Sequence, residues 1–246
     1  MTEFRAPPIS APLYLYEHGQ QLRYPGAELL MVMYAAERER VAHLVPTQCD
    51  VPKTPNVICY IARYDSSPVG PYLEAATLIE ASVETSSAPV SGWFVASMYV
   101  TTDAAMALGR EVFGFPRKLA QIELDAKGEA KRGRVVRGGV QLMELRIEPD
   151  WEVEELPDGN VIRVLNLKLV PSADLCGKVS AELISSDIGI PNPGSIRVGS
   201  AAIELGESTD DPIHVLAPGK NAGKLMGAVV KSEFELGPGK VVRTLT

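Results

Sequence analysis

Apolar runs separated by glycine and proline recur along most of this chain, and they predict a protein built mainly from β-strands. The runs are rich in valine, isoleucine and leucine, which favour the pleated surface of a strand. Many strands with few helices between them are typical of an antiparallel sheet that closes into a barrel, because closure removes the exposed edges. The predicted strands are Glu28–Tyr34, Val57–Tyr64, Leu73–Val83, Trp93–Val100, Leu119–Asp125, Arg134–Ile147, Val161–Val170, Lys178–Ile184, Ser195–Leu205 and Met226–Leu236.

Two segments depart from the strand pattern and predict short helices. Ala35–Leu44 has a run of charged residues and one apolar edge, and Pro46 follows it closely. Ala104–Phe113 follows Thr102 and Asp103, either of which is a good residue to cap a helix. Pro212–Val215 is open to two interpretations, a short helix or an extended connection. The predicted fold class is therefore mainly β, a closed antiparallel β barrel with a few short helices.

Length and charge limit the classes of protein to which the chain can belong. Its 246 residues suit a single domain over residues 1–246, since β barrels of this length are commonly undivided. The net charge of −7 and the absence of long basic runs argue against a nucleic acid or an anionic membrane as partner. No apolar stretch approaches the roughly 20 residues that a membrane span needs.

Cysteine usage and the first residues of the chain indicate a reduced, cytoplasmic protein. Cys49, Cys59 and Cys176 are odd in number and widely spaced, unlike a disulfide framework. Glu3 and Arg5 stand, together with prolines, where a signal peptide would be apolar.

The spacing of histidines and glycines gives no sign of a metal or a cofactor. His18, His43 and His214 lie far apart, and ordinary surface or core positions explain them more simply than ligation does. No glycine loop that would cradle a phosphate follows a predicted strand. We therefore expect neither a metal nor a cofactor.

The segment Arg110–Ala120 brings charge into otherwise apolar sequence. Arg117 and Lys118 stand side by side after a proline, between a predicted helix and a predicted strand. Glu74 lies at another loop-to-strand junction, beside an apolar run. Taken alone, each of these charges is more simply a solvated strand end, because charged residues are rarely buried unpaired.

Several short motifs together resemble the acetoacetate decarboxylase superfamily. The most specific match runs from Gly109-Arg110-Glu111 to Pro116-Arg117-Lys118, where the family has a Gly-Arg-Glu helix end followed by Pro-Lys-Lys. Gly70–Glu74 resembles the family's Gly-x-Tyr-x-Glu segment, while Tyr34–Pro46 and Met98-Tyr99 resemble shorter stretches. The resemblance covers nearly the whole chain. It implies a cone-shaped antiparallel β barrel with an internal pocket, a homo-oligomer, and a lyase acting on a small oxo acid or related carbonyl compound.

The resemblance also implies which residues form the site. Arg117 falls on the lysine that forms a Schiff base in the family, and Lys118 falls on the second lysine of the pair. Glu74 falls on one of two active-site glutamates and Cys59 on the other, while an arginine thought to hold the substrate carboxylate falls near Ala27. The candidate catalytic residues are thus Arg117, Glu74 and Lys118, and the candidate substrate-binding residues are Tyr72, Met98 and Cys59.

The chemistry of arginine argues against acetoacetate decarboxylation itself. A Schiff base needs a neutral amine, and acetoacetate decarboxylase is a known case of a lysine activated in this way. A guanidinium stays protonated and is a poor nucleophile, so Arg117 cannot take that role. Because neighbouring side chains on a strand point to opposite faces, an inward Arg117 turns Lys118 outward unless a bulge follows Pro116.

Three functions stay open from the sequence. In the first, Lys118 forms an imine and Glu74 moves protons, as in an aldolase-dehydratase, hydratase or decarboxylase. In the second, a cyclase, isomerase or hydratase works without a covalent intermediate, with Arg117 holding a carboxylate or enolate oxygen and Glu74 acting as acid or base. In the third, the barrel only binds a small molecule. An enzyme is favoured, because a cation pair and a glutamate would otherwise be costly to bury.

Overall fold

The computed structural model describes residues 21–125, 130–153, 161–174, 176–191, 194–219 and 224–245. Within these residues the chain is mainly β, and its strands form one hydrogen-bonded sheet. The strands are β1 Leu22–Ala35, β2 Cys49–Asp50, β3 Asn56–Tyr64, β4 Tyr72–Val83, β5 Val90–Val100, β6 Arg117–Leu119, β7 Gln121–Asp125, β8 Lys131–Arg137, β9 Val140–Val153, β10 Val161–Pro171, β11 Lys178–Gly189, β12 Ser195–Leu205, β13 Met226–Leu236 and β14 Lys240–Thr244.

Part of the sheet returns on itself to form a ring of paired strands. Its order is β11, β10, β5, β4, β3, β1 and β13, and β13 then pairs with β11 through Leu236 and Ile188. β12, β9, β8 and β7 continue from β13 beyond the ring. The pairings of β5 with β10 and with β6 are parallel, so the prediction of a purely antiparallel sheet is wrong there. The reason is that a helical crossover, rather than a hairpin, connects β5 to β6.

The sequence located most strands, but it divided two of them wrongly and made β1 and β11 too short. The predicted strand Arg134–Ile147 is in fact β8 and β9, separated by a turn at Gly138 and Gly139 with φ values of 59° and 80°. Positive φ is readily available to glycine, which allows this tight reversal. The predicted strand Leu119–Asp125 is divided at Ala120 between β6 and β7. The short strands β2 and β14 were not predicted.

The two predicted helical segments are confirmed as short helices. α1 spans Arg38–Val41 and continues as a 3₁₀ turn, and α2 spans Asp103–Leu108, where Thr102 accepts a hydrogen bond from the Ala105 amide. A π-helical turn, Gly109–Phe113, follows α2 directly. The Pro212–Val215 region contains a 3₁₀ turn at Ile213–Leu216. No helix in the described part of the chain is long and apolar enough to span a bilayer.

The ring has two apolar faces because its strands alternate their side chains. The inner face gathers Tyr24, Tyr64, Val95 and Met98 with other buried residues into one cluster. The outer face packs against β8 and β9, and a Cβ on Gly133 of β8 would lie only 2.8 Å from Ile61 Cδ1. Each large apolar side chain buried in this way contributes about 1.5–3 kcal/mol. The two faces therefore define two separate environments for any polar side chain placed on the ring.

Candidate active site

The segment after the π-helical turn places the candidate cations on opposite sides of β6. Gly114 adopts a φ of 75°, which reverses the chain into β6. β6 then pairs with β5 so that Arg117 lies beside Met98 and Lys118 beside Tyr99. Met98 belongs to the inner apolar cluster and Tyr99 to the outer one. Strand alternation therefore directs Arg117 into the ring and Lys118 away from it.

Arg117 is buried inside the ring and is bound by several partners. Its Nη2 lies 2.5 Å from Glu74 Oε2 and donates weakly to the Tyr72 hydroxyl at 3.5 Å. Its Nη1 donates to the Ala105 carbonyl at 2.6 Å, and its Nε lies 3.2 Å from Met98 Sδ. Only 4% of Arg117 and 3% of Glu74 are exposed, so the two charges neutralise each other out of water.

The end of the helical crossover is shaped around the arginine side chain. A Cβ on Gly109 would lie 2.6 Å from Arg117 Nε, a distance that real side chains do not tolerate. The guanidinium carbon lies 5.2 Å from the centre of the Phe115 ring and 5.7 Å from that of Tyr72, within range of cation–π attraction. The Gly109 position in the π-helical turn thus makes room for the cation, and the aromatic rings hold it.

Tyrosines surround the carboxylate of the ion pair. Tyr60 donates a hydrogen bond to Glu74 Oε1 at 2.7 Å, and Tyr64 approaches the same oxygen at 3.4 Å. The Tyr64 ring packs against Tyr24 and Tyr72, with ring centres 5.1 and 5.0 Å away. The result is a compact array of four phenols on the inner face of β1, β3 and β4.

The electrostatics of this array keep the phenols protonated. Burial, and then the negative charge of Glu74, raise the pKa of Tyr60, Tyr64 and Tyr72 well above 10. Burial lowers the pKa of Arg117, but Glu74 and the tyrosines outweigh that effect and raise it, so the guanidinium stays charged. At neutral pH the site therefore holds one paired cation and anion among neutral hydroxyl groups.

A cavity of about 100 Å³ opens beside this constellation, and we call it the ring cavity. Arg117 and Glu74 are the charged residues that line it in the described part of the chain. Its remaining walls are apolar or aromatic, and include the predicted residues Tyr72 and Met98. A small, mostly apolar cavity with a few convergent polar groups is the usual form of a small-molecule site.

Lys118, a candidate catalytic residue, lies outside the ring cavity. Its Nζ is 2.5 Å from Asp211 Oδ1 and 3.2 Å from the Asp210 carbonyl. Arg137 Nε binds the other Asp211 oxygen at 3.0 Å. Lys118 and Asp211 line a cavity of about 140 Å³ on the outer side of β5, together with Tyr99, and we call it the outer cavity. Lys118 therefore lies apart from Arg117 and Glu74, on the outward side that strand alternation predicts, and a catalytic role for it stays a prediction.

Cys59, predicted to bind substrate, also lies outside the ring cavity. It points to the outer face of β3, is fully buried, and its Sγ lies 3.6 Å from the Tyr34 hydroxyl. Burial raises the pKa of this thiol to about 12, so it stays neutral. The flanking residues Ile58 and Tyr60 line the ring cavity instead. The correction follows from the two-residue alternation of a strand, which sends Cys59 to the opposite face.

Several residues of the ring cavity were not predicted from the sequence. Tyr24, Tyr60, Tyr64 and Phe115 all line it, whereas Ala27, near which the family's carboxylate-binding arginine falls, does not. The two-residue spacing of inward positions along β3 was a signal that could have found Tyr60 and Tyr64.

The described residues offer no evident site for a metal ion. Across the described ranges, no three histidine, cysteine, aspartate or glutamate side chains converge in a way that could hold a metal ion. His18 lies outside these ranges. The chemistry that the site offers comes from its carboxylate, guanidinium and phenol groups.

Comparison with known proteins connects this geometry to a family. The family model described as acetoacetate decarboxylase matches residues 10–245. The acetoacetate decarboxylase of Burkholderia mallei (strain NCTC 10229) is 26% identical over 203 residues, which cover 80% of this chain and 76% of that protein. The enzyme of the same name from Burkholderia cenocepacia (strain HI2424) is 27% identical over the same shares.

Solved structures show the same fold at lower sequence identity. Acetoacetate decarboxylase from Legionella pneumophila superposes with a TM-score of 0.84 at 20% identity, over 99% of this chain and 93% of that one. An acetoacetate decarboxylase-like enzyme from Sphingomonas wittichii RW1 gives 0.75 at 19% identity, over 99% of each chain. The enduracididine biosynthesis enzyme MppR, solved with pyruvate, gives 0.72 at 15% identity, over 93% of this chain and 92% of that one.

Proposed function

Because this chain belongs to the acetoacetate decarboxylase family, we propose that it is an enzyme of the lyase type acting on a small oxo acid or related carbonyl compound in the ring cavity. We expect it to work without a lysine imine. The observation that carries this proposal is the 2.5 Å contact between Arg117 and Glu74 at the cavity wall. The resemblance assigns a Schiff-base lysine to the position of Arg117, and the neighbouring lysine points elsewhere.

The described lining of the ring cavity argues against covalent catalysis by a lysine. Within the described residues, no lysine lines the ring cavity. Lys118 is bound to Asp211 on the other side of β6, where it lines the outer cavity and not the ring cavity. Arg117 remains a guanidinium, which does not attack a carbonyl carbon. These facts favour the non-covalent alternative over the imine.

The site's groups suit proton transfer next to a carbonyl. We expect the Glu74 carboxylate to take a proton from the carbon beside the carbonyl, and the electron pair of that C–H bond to move onto the carbonyl oxygen. Arg117 and the neighbouring phenols would stabilise the enolate oxygen that forms. The proton on Glu74 then returns to carbon or to a leaving hydroxyl. Isomerases, cyclases, hydratases and aldolase-dehydratases all use such a step.

The comparisons support a carbonyl substrate without naming it. MppR has been solved with pyruvate and with the condensation product of pyruvate and imidazole 4-carboxaldehyde. Those compounds belong to MppR, whose 15% identity to this chain supports a common fold. They agree with a cavity that receives small oxo compounds.

A second candidate function is binding without turnover. One observation favours it. Arg117 is paired with Glu74 and also donates to Met98 Sδ and the Ala105 carbonyl, as expected of an ion pair with a structural role. A binding protein would hold a small ligand in the ring cavity and release it unchanged. A panel of oxo compounds followed by product analysis separates the two candidates.

We extend the proposal to the fold and assembly implied by the family. The ring of paired strands would act as a closed barrel around the cavity, within one domain that spans residues 1–246. The protein would assemble as a homo-oligomer in the cytoplasm. Sedimentation that gives a single species near the chain mass of 26.5 kDa would contradict the oligomer.

The function is tested by comparing two alanine variants on a panel of oxo acids, diketones and aldehydes. We expect Arg117→Ala to lose roughly a hundredfold or more in rate, as the removal of an oriented charge does elsewhere. Lys118→Ala should keep most of the wild-type rate, because its side chain lies in the outer cavity. Equal loss in both variants, or loss in Lys118→Ala alone, would overturn the proposal. Thermal unfolding of each variant shows whether a loss of rate reflects a loss of fold.

A further inference from the structure

Among the residues that the structure describes, the charges that line the ring cavity cancel. Arg117 and Glu74 are the charged residues that line it in the described ranges, and they contact each other at 2.5 Å. A ligand that brings its own negative charge would therefore meet no uncompensated cation. Burying an unpaired carboxylate in such an environment is costly.

The hydrogen-bonding groups of Arg117 are also largely occupied. Its Nε faces Met98 Sδ, its Nη1 donates to the Ala105 carbonyl, and its Nη2 serves Glu74 and Tyr72. Bidentate binding of a carboxylate by arginine uses two parallel N–H groups on one edge of the guanidinium. Here Glu74 and Tyr72 already engage Nη2, so a second carboxylate would have to compete with them.

The phenol groups beside the arginine have different partners. Tyr60 and Tyr64 direct their hydroxyls to Glu74 Oε1 at 2.7 and 3.4 Å, and the Tyr72 hydroxyl accepts from Arg117 Nη2 at 3.5 Å. The Tyr24 hydroxyl makes none of these contacts, so its proton can serve a further acceptor. Tyr24 lines the ring cavity, and burial raises the pKa of its hydroxyl, which keeps it a donor.

We infer that the ring cavity selects uncharged carbonyl compounds, such as ketones, aldehydes and diketones, over oxo-acid anions, and that Tyr24 donates a hydrogen bond to the carbonyl oxygen. This inference rests on the proposed function and narrows its substrate class. A neutral carbonyl oxygen needs only a donor, which the Tyr24 hydroxyl supplies. A buried carboxylate needs a cation to neutralise it, and Arg117 is already paired with Glu74.

The test uses pairs of compounds that differ in charge but hardly in shape. Calorimetry measures the binding of 2,3-butanedione against pyruvate, and of 2,4-pentanedione against acetoacetate. In each pair a methyl group of the neutral compound replaces the carboxylate oxygen of the acid. We expect the neutral member to bind at least tenfold more tightly. Tighter binding of both acids overturns the inference but leaves the proposed function standing, whereas no binding by any of the four overturns both.

A variant that changes only the charge of the ring-cavity wall makes this test more specific. Glu74→Gln keeps the shape of the side chain but leaves Arg117 unneutralised, so the preference should invert towards pyruvate and acetoacetate. Glu144→Gln, which removes a surface partner of Arg132, is the matched control and should keep the wild-type preference. If Glu74→Gln does not fold, the double variant Arg117→Gln with Glu74→Gln restores neutrality and should keep the preference for the diketones. An unchanged preference in folded Glu74→Gln, or a preference for the acids in the double variant, overturns the inference.

The role of Tyr24 has its own comparison. Tyr24→Phe removes the hydroxyl and keeps the ring that packs on Tyr64. We expect the diketones to bind roughly three- to tenfold more weakly, as the loss of one neutral hydrogen bond implies. Tyr99→Phe, on the outer face, is the matched control and should bind them as the wild type does. Wild-type affinity in folded Tyr24→Phe would overturn the assignment of Tyr24.

Discussion

Lys118 Nζ lies 2.5 Å from Asp211 Oδ1, on the side of β6 that faces away from the ring cavity. Its chain neighbour Arg117 makes an equally close contact with Glu74 inside the ring. A single peptide bond thus separates two ion pairs in two cavities, because neighbouring side chains on a strand point in opposite directions. The amine of Lys118, which would form the imine in the covalent alternative, is thus bound to a carboxylate away from the ring cavity.

Replacing Arg117 by lysine should create imine chemistry that the wild type lacks. The Arg117→Lys variant puts an amine at the position that carries the Schiff-base lysine in the resembled family. At this position burial lowers the pKa of a cation while Glu74 raises it, and an amine, unlike a guanidinium, has an accessible neutral form that can attack a carbonyl carbon. After incubation with 2,3-butanedione and borohydride, we expect mass spectrometry to find the reduced adduct on this residue. No adduct in a folded variant would show that the inner face does not bring a carbonyl carbon to this position.

Gly109 should be necessary for the placement of Arg117. The Gly109→Ala variant introduces a Cβ within 2.6 Å of Arg117 Nε, so the guanidinium must move away from Glu74. We expect a loss of about 1–3 kcal/mol in the free energy of unfolding, typical of overpacking. The rate should fall as it does in Arg117→Ala. The control is Gly177→Ala, where the nearest atom is 4.0 Å away, and it should change neither quantity.

Asp211 should make stability depend on acid pH. Burial raises the pKa of this carboxyl, but hydrogen bonds and charges from Lys118 and Arg137 outweigh burial and lower it. Since the folded pKa lies below the unfolded value of about 3.9, the stabilisation is complete above that pH and is lost as the pH falls through the folded pKa. In denaturant titrations, wild type should exceed Asp211→Asn in stability near neutral pH, with the gap closing in acid. A gap that does not change with pH would contradict this account.

The tyrosines should limit stability at alkaline pH. Burial raises the pKa of all six tyrosines in the described ranges, namely Tyr24, Tyr34, Tyr60, Tyr64, Tyr72 and Tyr99. Their stabilisation is present below the unfolded pKa of about 10 and is lost as the pH rises above it. Of the chain's eight tyrosines, we expect no more than two to ionise before unfolding begins, as followed by near-ultraviolet absorbance and circular dichroism. Ionisation of more phenols in the native protein would refute the packing described for the ring.

The sequence predicted most strands, but it was less informative about how the strands pair and which face of the sheet each side chain occupies. Apolar runs between glycines and prolines located most strands, because burial in a sheet leaves a local trace in composition. The parallel pairing of β5 with β6 left no such trace, since it depends on how a helical crossover returns the chain. The same holds for the closure of the ring through Leu236 and Ile188, which lie far apart in the chain.

In the candidate site, too, the sequence predicted some features and missed others. Alternation from Pro116 correctly separated Arg117 from Lys118, and the contact between Arg117 and Glu74 is the one expected from the sequence. Cys59 was misplaced because a motif match gave its position without its face. The partners of Lys118 could not be foreseen, because Asp211 reaches it across 93 residues of chain.

The central claim, catalysis in the ring cavity without a lysine imine, is tested most directly by borohydride trapping of the wild-type protein. The protein is incubated with pyruvate, acetoacetate or 2,4-pentanedione, reduced, digested, and mapped by peptide mass spectrometry, with Arg117→Lys treated in parallel. The account predicts no reduced adduct on Lys118 in the wild type and a clear adduct at the substituted position in Arg117→Lys. Stoichiometric labelling of Lys118 in wild-type protein, together with loss of turnover in Lys118→Ala, would contradict the account and restore the imine mechanism.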